Sequence, residues 1–385
     1  MELQERLDVA ERKVEVRRRQ ALAERGRLMR NRKRKGSLGA LIALLGITAL
    51  ISSGSVVWLR LHQDNRGGLA VVTARPIPAS RSRSVKIGHP AKLFSSVHGE
   101  KVTVVRPTPG GELAIGTYSG KVYLASMSEA RMRRFRQVAG LSLPVRDIAI
   151  SSDGKSIAAL FNDWTTAQVA VYRPGHAVTV IQVLDPSEAD VIGLDEGAGK
   201  VAVGAFDVTV YDVVTSRVLW TLTFPPLEGG SSAASSIAFK SNGDIVMLAS
   251  EGVQVARPGR TGITMGLCGC DSLEEVLDPS TDHAIFKSRS GHLIVIDVNT
   301  GETVADKTLS ADHEDYFYIS VDRVGRRVLA AASSGRFVLW DVNRNTVIER
   351  GSFPKGFFLV DFIDDHHLLL ERGAESSVGY WVSSM

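Results

Sequence analysis

"SSGRFVLWDVNRN", Ser333 to Asn345, holds the chain's only Trp-Asp dipeptide, Trp340-Asp341. It reads as a tight turn at Ser334-Gly335, a strand over "FVLWDV" and a second turn that begins at Asp341. The alternation within "FVLWDV" suits a strand with one face packed on a neighbouring layer, which places Trp340 in that packing. The same turn and strand should then recur elsewhere in the chain.

They do recur. An upstream turn repeats as "RPTPGGELAIG" (Arg106 to Gly116), "ISSDGKSIAAL" (Ile150 to Leu160), "DEGAGKVAVGA" (Asp195 to Ala205) and "FKSNGDIVMLA" (Phe239 to Ala249). It returns as "LDPSTDHAIFK" (Leu277 to Lys287), "VDRVGRRVLAA" (Val321 to Ala331) and, most weakly, "DFIDDHHLLLE" (Asp361 to Glu371). Equivalent positions are Gly111, Gly154, Gly199, Gly243, Asp282, Gly325 and Asp365, spaced 43, 45, 44, 39, 43 and 40 residues apart. Each unit continues into a second tight turn and third strand, as in "SGKVYLAS", "DVTVYDV", "SGHLIVIDV" and "SGRFVLWDV". A fourth strand often follows, as in "SRVLWTLTF".

Seven units of this length predict an all-β, seven-bladed β-propeller over residues 90–385, with eight blades if two degenerate units have merged. On these motifs the region resembles WD-repeat and quinoprotein-like β-propellers; "YDVVTSRVLW" and "IDVNTGETV" are similar to the Asp-x-x-Thr-Gly stretch of the latter. The last unit ends at "GYWVSS" with three strands, which would leave an open sheet edge. "PAKLFSSV", Pro90 to Val97, precedes the first full unit and is expected to supply the missing strand.

The amino-terminal quarter differs in texture. Residues 1–36 carry 13 Lys/Arg against 6 Asp/Glu, a net +7, so the other 349 residues of this +4 chain sum to −3. Basic charge at one end, with no aromatic residue in it, argues against nucleic-acid binding. From Gly36 to Leu59, "GSLGALIALLGITALISSGSVVWL", 24 residues pass without a charge. As a helix at about 1.5 Å per residue this run exceeds the ~30 Å hydrocarbon core, so residues 36–59 are expected to span a membrane. Seven Lys/Arg in the 15 residues before it, against two in the 15 after, place the amino terminus in the cytoplasm and the propeller outside. Its leader and apolar run are both long for a cleaved signal peptide, so the segment reads as a signal anchor.

Residues 1–35 read as a short cytoplasmic helix. Leu3, Leu7, Ala10 and Val14 start a heptad seam that fails at Arg17, leaving a solvated helix or a short coiled coil. Arg30, Arg32, Lys33, Arg34 and Lys35 are placed to meet anionic lipid headgroups. Residues 60–89, mixed in Gly, Pro, Ser and Arg, read as a linker. Membrane helix plus propeller resembles part of bacterial receptor kinases, and of large signalling NTPases that end in a propeller. Only 35 residues precede the membrane segment, too few for either catalytic domain, which implies a separately encoded signalling partner.

Chemistry-bearing motifs are sparse. "DGKS" (Asp153 to Ser156) and "GAGKV" (Gly197 to Val201) lack the first glycine of a phosphate loop, and both fall on the recurring turn. Cys268 and Cys270, both cysteines of the chain, form either a strained disulfide or two structural thiols. "DHEDY" (Asp312 to Tyr316) falls in an inter-blade connection and "DDHH" (Asp364 to His367) in a hairpin turn, both ordinary places for polar residues, whereas calcium usually needs six to eight converging oxygens. No cofactor or metal is expected. The best anchors for a partner are loop aromatics and a nearby arginine: Trp164, Phe206, Tyr316, Phe317 and Arg146. The expectation is a non-catalytic membrane scaffold or sensor whose propeller binds a protein or cell-envelope partner. The alternative is a membrane-anchored propeller enzyme: a hydrolase, lyase or quinoprotein-like oxidoreductase.

Overall fold

The computed structural model describes residues 90–384, apart from 129–130, 206, 224–233, 250–251, 258–262, 268–271, 278–281, 289–291, 310–315, 323, 333, 355, 365 and 375–376. Residues 1–89, where a cytoplasmic helix, a membrane segment and a linker are expected, and Phe206, Cys268 and Cys270 lie outside the described residues.

The described residues form seven four-stranded antiparallel sheets. A first strand, β1 (Ala91–Phe94), precedes blade 1, which comprises β2 (Val102–Pro107), β3 (Glu112–Thr117), β4 (Lys121–Ser128) and β5 (Arg131–Gly140). Blade 2 holds β6 (Val145–Ile150), β7 (Ile157–Asn162), β8 (Ala167–Tyr172) and β9 (Thr179–Gln182). Blade 3 holds β10 (Val191–Leu194), β11 (Lys200–Gly204), β12 (Asp207–Asp212) and β13 (Val218–Thr223). Blade 4 runs through β14 (Ser236–Phe239), β15 (Ile245–Ala249), β16 (Gly252–Ala256) and β17 (Ile263–Leu267). Blade 5 runs through β18 (Ser272–Leu277), β19 (His283–Ser288), β20 (His292–Asp297) and β21 (Thr303–Thr308). Blade 6 consists of β22 (Tyr316–Val321), β23 (Arg327–Ala332), β24 (Arg336–Asp341) and β25 (Thr346–Ser352). Blade 7 joins β26 (Phe358–Phe362), β27 (His367–Ala374) and β28 (Ser377–Ser384) to β1.

The core is split into seven apolar clusters, and each joins two blades that follow one another. Leu160, Val169 and Val171 of blade 2, for example, pack with Val201, Val203 and Tyr211 of blade 3. Trp340, fully buried, packs with Ile285, Leu293 and Val295 of blade 5, as the sequence suggested. Asp341 then stops the strand by accepting a hydrogen bond from the Arg344 N–H at 3.0 Å. The seventh cluster closes the ring. Phe94, on β1, stacks on Tyr380 at 5.0 Å and packs with Val105, Ile115 and Tyr123 of blade 1.

Second strands lie between neighbouring blades and are apolar on both sides, as "IAALFN" of β7 is, buried along its whole length. The recurring turn uses left-handed glycines at Gly111, Gly154, Gly243 and Gly325. Blade 3 departs from the expected register: the positive φ falls on Ala198 (50°), one residue before Gly199. The turn is otherwise the common one: the Asp195 carbonyl and side chain take the Ala198 and Lys200 N–H groups at 3.1 and 2.8 Å, as Ser151 takes those of Gly154 and Ser156 in blade 2, so Ala198 is the equivalent position.

In an up-and-down blade the turns between strands one and two, and three and four, share one face. Turns between strands two and three, and the connections to the next blade, share the other. We call these the lower and upper faces. Because β1 is the fourth strand of blade 7, Ala91 lies at the lower face.

Candidate functional site

The β7–β8 turn, Asp163 to Thr166, sits on the upper face. Asp163 Oδ1 accepts the Thr165 and Thr166 N–H groups at 2.9 and 2.8 Å and the Thr165 hydroxyl at 2.7 Å. Partial burial opposes ionisation of Asp163, but these donors hold its carboxyl below the usual range. Trp164 takes φ 74°, a conformation that costs a bulky residue about 1–2 kcal/mol. Its N–H is held by Asn162 Oδ1 at 2.6 Å.

Asn162 is the keystone of this corner. It is fully buried, and its amide nitrogen donates to the Pro186 and Ala189 carbonyls at 2.9 and 2.6 Å. Those carbonyls belong to a 3-10 turn, Pro186–Glu188, and the residue that follows it, in the connection to blade 3. The Asn162 N–H donates to the Pro144 carbonyl at 3.1 Å. One side chain and its backbone therefore lock the strand end, the incoming connection and the outgoing one.

Arg146 completes the group. Its Nε donates to the Asn162 carbonyl at 3.0 Å, and its guanidinium carbon lies 4.9 Å from the centre of the Trp164 ring. Two residues chosen separately from the sequence thus form one cation–π unit, worth about 0.5–1 kcal/mol when exposed. Trp164 nevertheless keeps 49% of its surface in solvent.

Two further exposed side chains share the upper face and were not anticipated. Tyr118, 57% exposed, occupies the β3–β4 turn of blade 1, with the Lys101 ammonium 5.8 Å from its ring centre. Leu184, 73% exposed, begins the β9–β10 connection, its N–H tied to the Tyr211 hydroxyl at 3.1 Å. Tyr118 and Trp164 are the large exposed aromatics among the described residues. Their signal in the sequence is an aromatic in the turn between strands two and three of consecutive units. Tyr316 and Phe317 start β22 and so stand at the upper-face end of blade 6.

A second polar group, also missed, runs along the innermost strands. Arg106 of β2 donates to Asp147 of β6 at 3.0 Å, and Asp147 accepts the Ile192 N–H of β10 at 3.3 Å. Ser320 of β22 donates to Asp361 of β26 at 2.5 Å. Burial pushes the Asp361 carboxyl up, against the Ser320 hydroxyl and the Arg106 charge, which favour ionisation. This chain of contacts touches five consecutive blades and straddles the seam where β1 closes the ring. It ties blades together, with acid and base largely spent on each other.

Of the clusters considered for cations, Asp364 and His367 pair with each other at 2.9 Å in the β26–β27 turn. Asp312 to Asp315 lie outside the described residues. "DGKS" and "GAGKV" are the first turns of blades 2 and 3 on the lower face, as their place in the repeat implied.

Compared with known proteins, the chain matches no family model and no curated protein. Among solved structures it is similar to the crystal structure of RRP9 WD40 repeats, with a TM-score of 0.58 and 14% identity. The alignment covers 78% of this chain and 99% of that one. At that identity the likeness shows the fold, a WD40-like β-propeller, and nothing finer.

Proposed function

We propose that this chain is a non-catalytic, single-pass membrane scaffold or sensor whose propeller, outside the cytoplasm, binds a protein or cell-envelope partner through its upper face. The observation that carries the reading is Trp164: a large aromatic left half in solvent on a turn that five or more hydrogen bonds make rigid. A rigid, exposed aromatic beside an arginine loses little entropy on binding and is the residue pair most enriched where interfaces hold their energy. Tyr118 and Leu184 extend the same face across neighbouring blades. WD40-like propellers commonly mediate protein interactions, which agrees with this use.

Membrane anchoring rests on the uncharged run Gly36 to Leu59 and on the basic flank before it. Ala91, at the start of β1, lies at the lower face, opposite the Trp164 turn. The cytoplasmic 35 residues would then recruit a separately encoded signalling partner.

Two measurements test this together. Reporter fusions at each terminus should show the amino end inside and the carboxyl end outside; a cytoplasmic carboxyl end would refute the placement. Quantitative co-purification from solubilised membranes should then yield a partner that the wild-type chain retains and Trp164→Gly does not. Equal retention by both would remove the upper face from the reading.

A further inference from the structure

The outer rim between blades 1 and 2 is a notch with two unlike walls. Strand β5 of blade 1 packs beside β8 of blade 2, so β9 reaches past it toward the rim. Within β9, Ile181 and the following Val183 turn toward blade 3 and pack with it. Val180 and Gln182 alternate with them and so turn toward blade 1, continued by Val178 before the strand and Leu184 after it. This stripe is open: Val178 keeps 39% of its surface in solvent and Val180 43%.

The facing wall is basic. Leu124 of β4 packs with Ile157 and Ala170 of blade 2, and Arg136 of β5 stands opposite Leu124 on the same face. Arg134 stands opposite Ser126, two residues further along β4, and shares that face. Arg136 reaches across to blade 2, donating to the Tyr172 hydroxyl at 2.8 Å with its guanidinium carbon 5.6 Å from the ring centre. Arg134 is exposed and has no partner among the described residues.

Nearby acids do not cancel this charge. Arg173 lies in the β8–β9 turn with His176, Glu112 shares the Arg134 face, Asp185 follows Leu184, and Lys155 pairs with Asp153 at 3.5 Å. Glu129, Arg131 and Arg133 have side chains outside the described residues, and with them the surroundings hold six Lys/Arg against four Asp/Glu. Other outer strands differ: β13 and β17 carry no charge, while β21 and β25 each balance one base with one acid.

These walls fit one kind of occupant. In an extended chain successive side chains point to opposite sides, and alternate residues lie about 7 Å apart. Val178 and Val180 on one wall, and Arg134 and Arg136 on the other, repeat at that two-residue interval. An extended segment can therefore turn aliphatic side chains to the valines and carboxylates to the arginines. β9 is also the last strand of its sheet, and its outer edge offers backbone groups to such a segment. A nucleic acid would satisfy the arginines and leave the valines wet.

We infer that the notch between the outer strands of blades 1 and 2 binds an extended segment of a protein partner in which aliphatic residues alternate with Asp or Glu. This contact is separate from the Trp164 turn and requires no membrane.

Fluorescence anisotropy on the full chain in detergent tests it, with a fluorescein-labelled octapeptide of alternating leucine and aspartate and with its leucine–lysine counterpart. The aspartate peptide should bind about tenfold more tightly, as two exposed arginine–carboxylate pairs allow. Its binding should weaken in high salt and severalfold in V178T/V180T. R134E/R136E should reverse the preference in favour of the lysine peptide, which loss of fold could not produce. Equal affinity for the two peptides, a preference that R134E/R136E leaves unchanged, or no binding of the aspartate peptide up to about 1 mM would overturn the inference. Release of the peptide by Trp164→Gly would place it on the upper face instead, and tighter binding of a single-stranded oligonucleotide than of the aspartate peptide would make the notch a nucleic-acid site; either result overturns it equally.

Discussion

Asn162→Ala is the sharpest perturbation of the upper face. The substitution removes one acceptor and two donors, the bonds to the Trp164 N–H and to the Pro186 and Ala189 carbonyls. At about 1 kcal/mol net for each, with the Ala189 carbonyl left buried, the loss should be about 3 kcal/mol. At about 2 cal/mol/K of unfolding entropy per residue, a disc of roughly 300 residues has about 0.6 kcal/mol/K in total, so Tm should fall by about 5 °C. The change should also be local. Trp164 would lose the bond that holds its left-handed backbone, so its line in a 5-fluorotryptophan NMR spectrum should move and broaden while that of buried Trp340 stays put. Scanning calorimetry and fluorine NMR on the same sample measure both. A Tm within about 1 °C of wild type, with the Trp164 line unmoved, would show that Asn162 does not hold this corner together.

Three further outcomes are expected. Trp164→Gly trades relief of an unfavourable φ, about 1–2 kcal/mol, against the lost cation–π contact, about 0.5–1 kcal/mol, so chemical denaturation should find its stability within about 1 kcal/mol of wild type. Gly120→Ala should destabilise by about 3 kcal/mol or more, because a Cβ there would lie 2.1 Å from the Leu141 carbonyl oxygen at φ 80°, whereas Gly111→Ala, at φ 75° in open space, should cost only about 1 kcal/mol; urea titrations of both variants would show equal effects if the close approach were unimportant. Asp163 has a folded carboxyl below its usual range, so its contribution is complete above the unfolded value of about 3.9 and is lost as pH falls through the folded one. The Trp164 fluorine line should therefore be constant from neutral pH to about pH 4 and shift only below it; a shift centred near pH 6 would assign it to another group.

The blades were legible because each depends on local rules. A left-handed turn needs glycine, as at Gly154 and Gly325, and a middle strand between two blades needs an unbroken apolar run, as in β7. Closure by β1 was legible because a three-stranded last unit leaves an edge to be filled. Blade 3 shows the limit of aligning turns by their glycines: the left-handed residue is Ala198, held by Asp195 as Gly154 is held by Ser151, and the glycine beside it is not the equivalent position. The site was legible only in pieces. Arg146 and Trp164 stood out as loop residues, but their stacking depends on Asn162, which looks like an ordinary strand end in "ALFND". Contacts between Arg106 and Asp147, or Ser320 and Asp361, join residues one unit apart, and no local pattern marks them. Tyr118 carries no mark of its own, because its turn reads only as one more copy of the repeat.

Photo-crosslinking within the full chain in cells tests the central claim most directly, with a benzophenone amino acid placed at position 118, 164 or 324. Positions 118 and 164 lie in upper-face turns, and Val324, 65% exposed, lies in the β22–β23 turn of the lower face. We expect one discrete adduct shared by positions 118 and 164, weakened by Arg146→Ala, and absent from position 324. Adducts from position 324 alone, or from none of the upper-face positions, would contradict recruitment through the upper face.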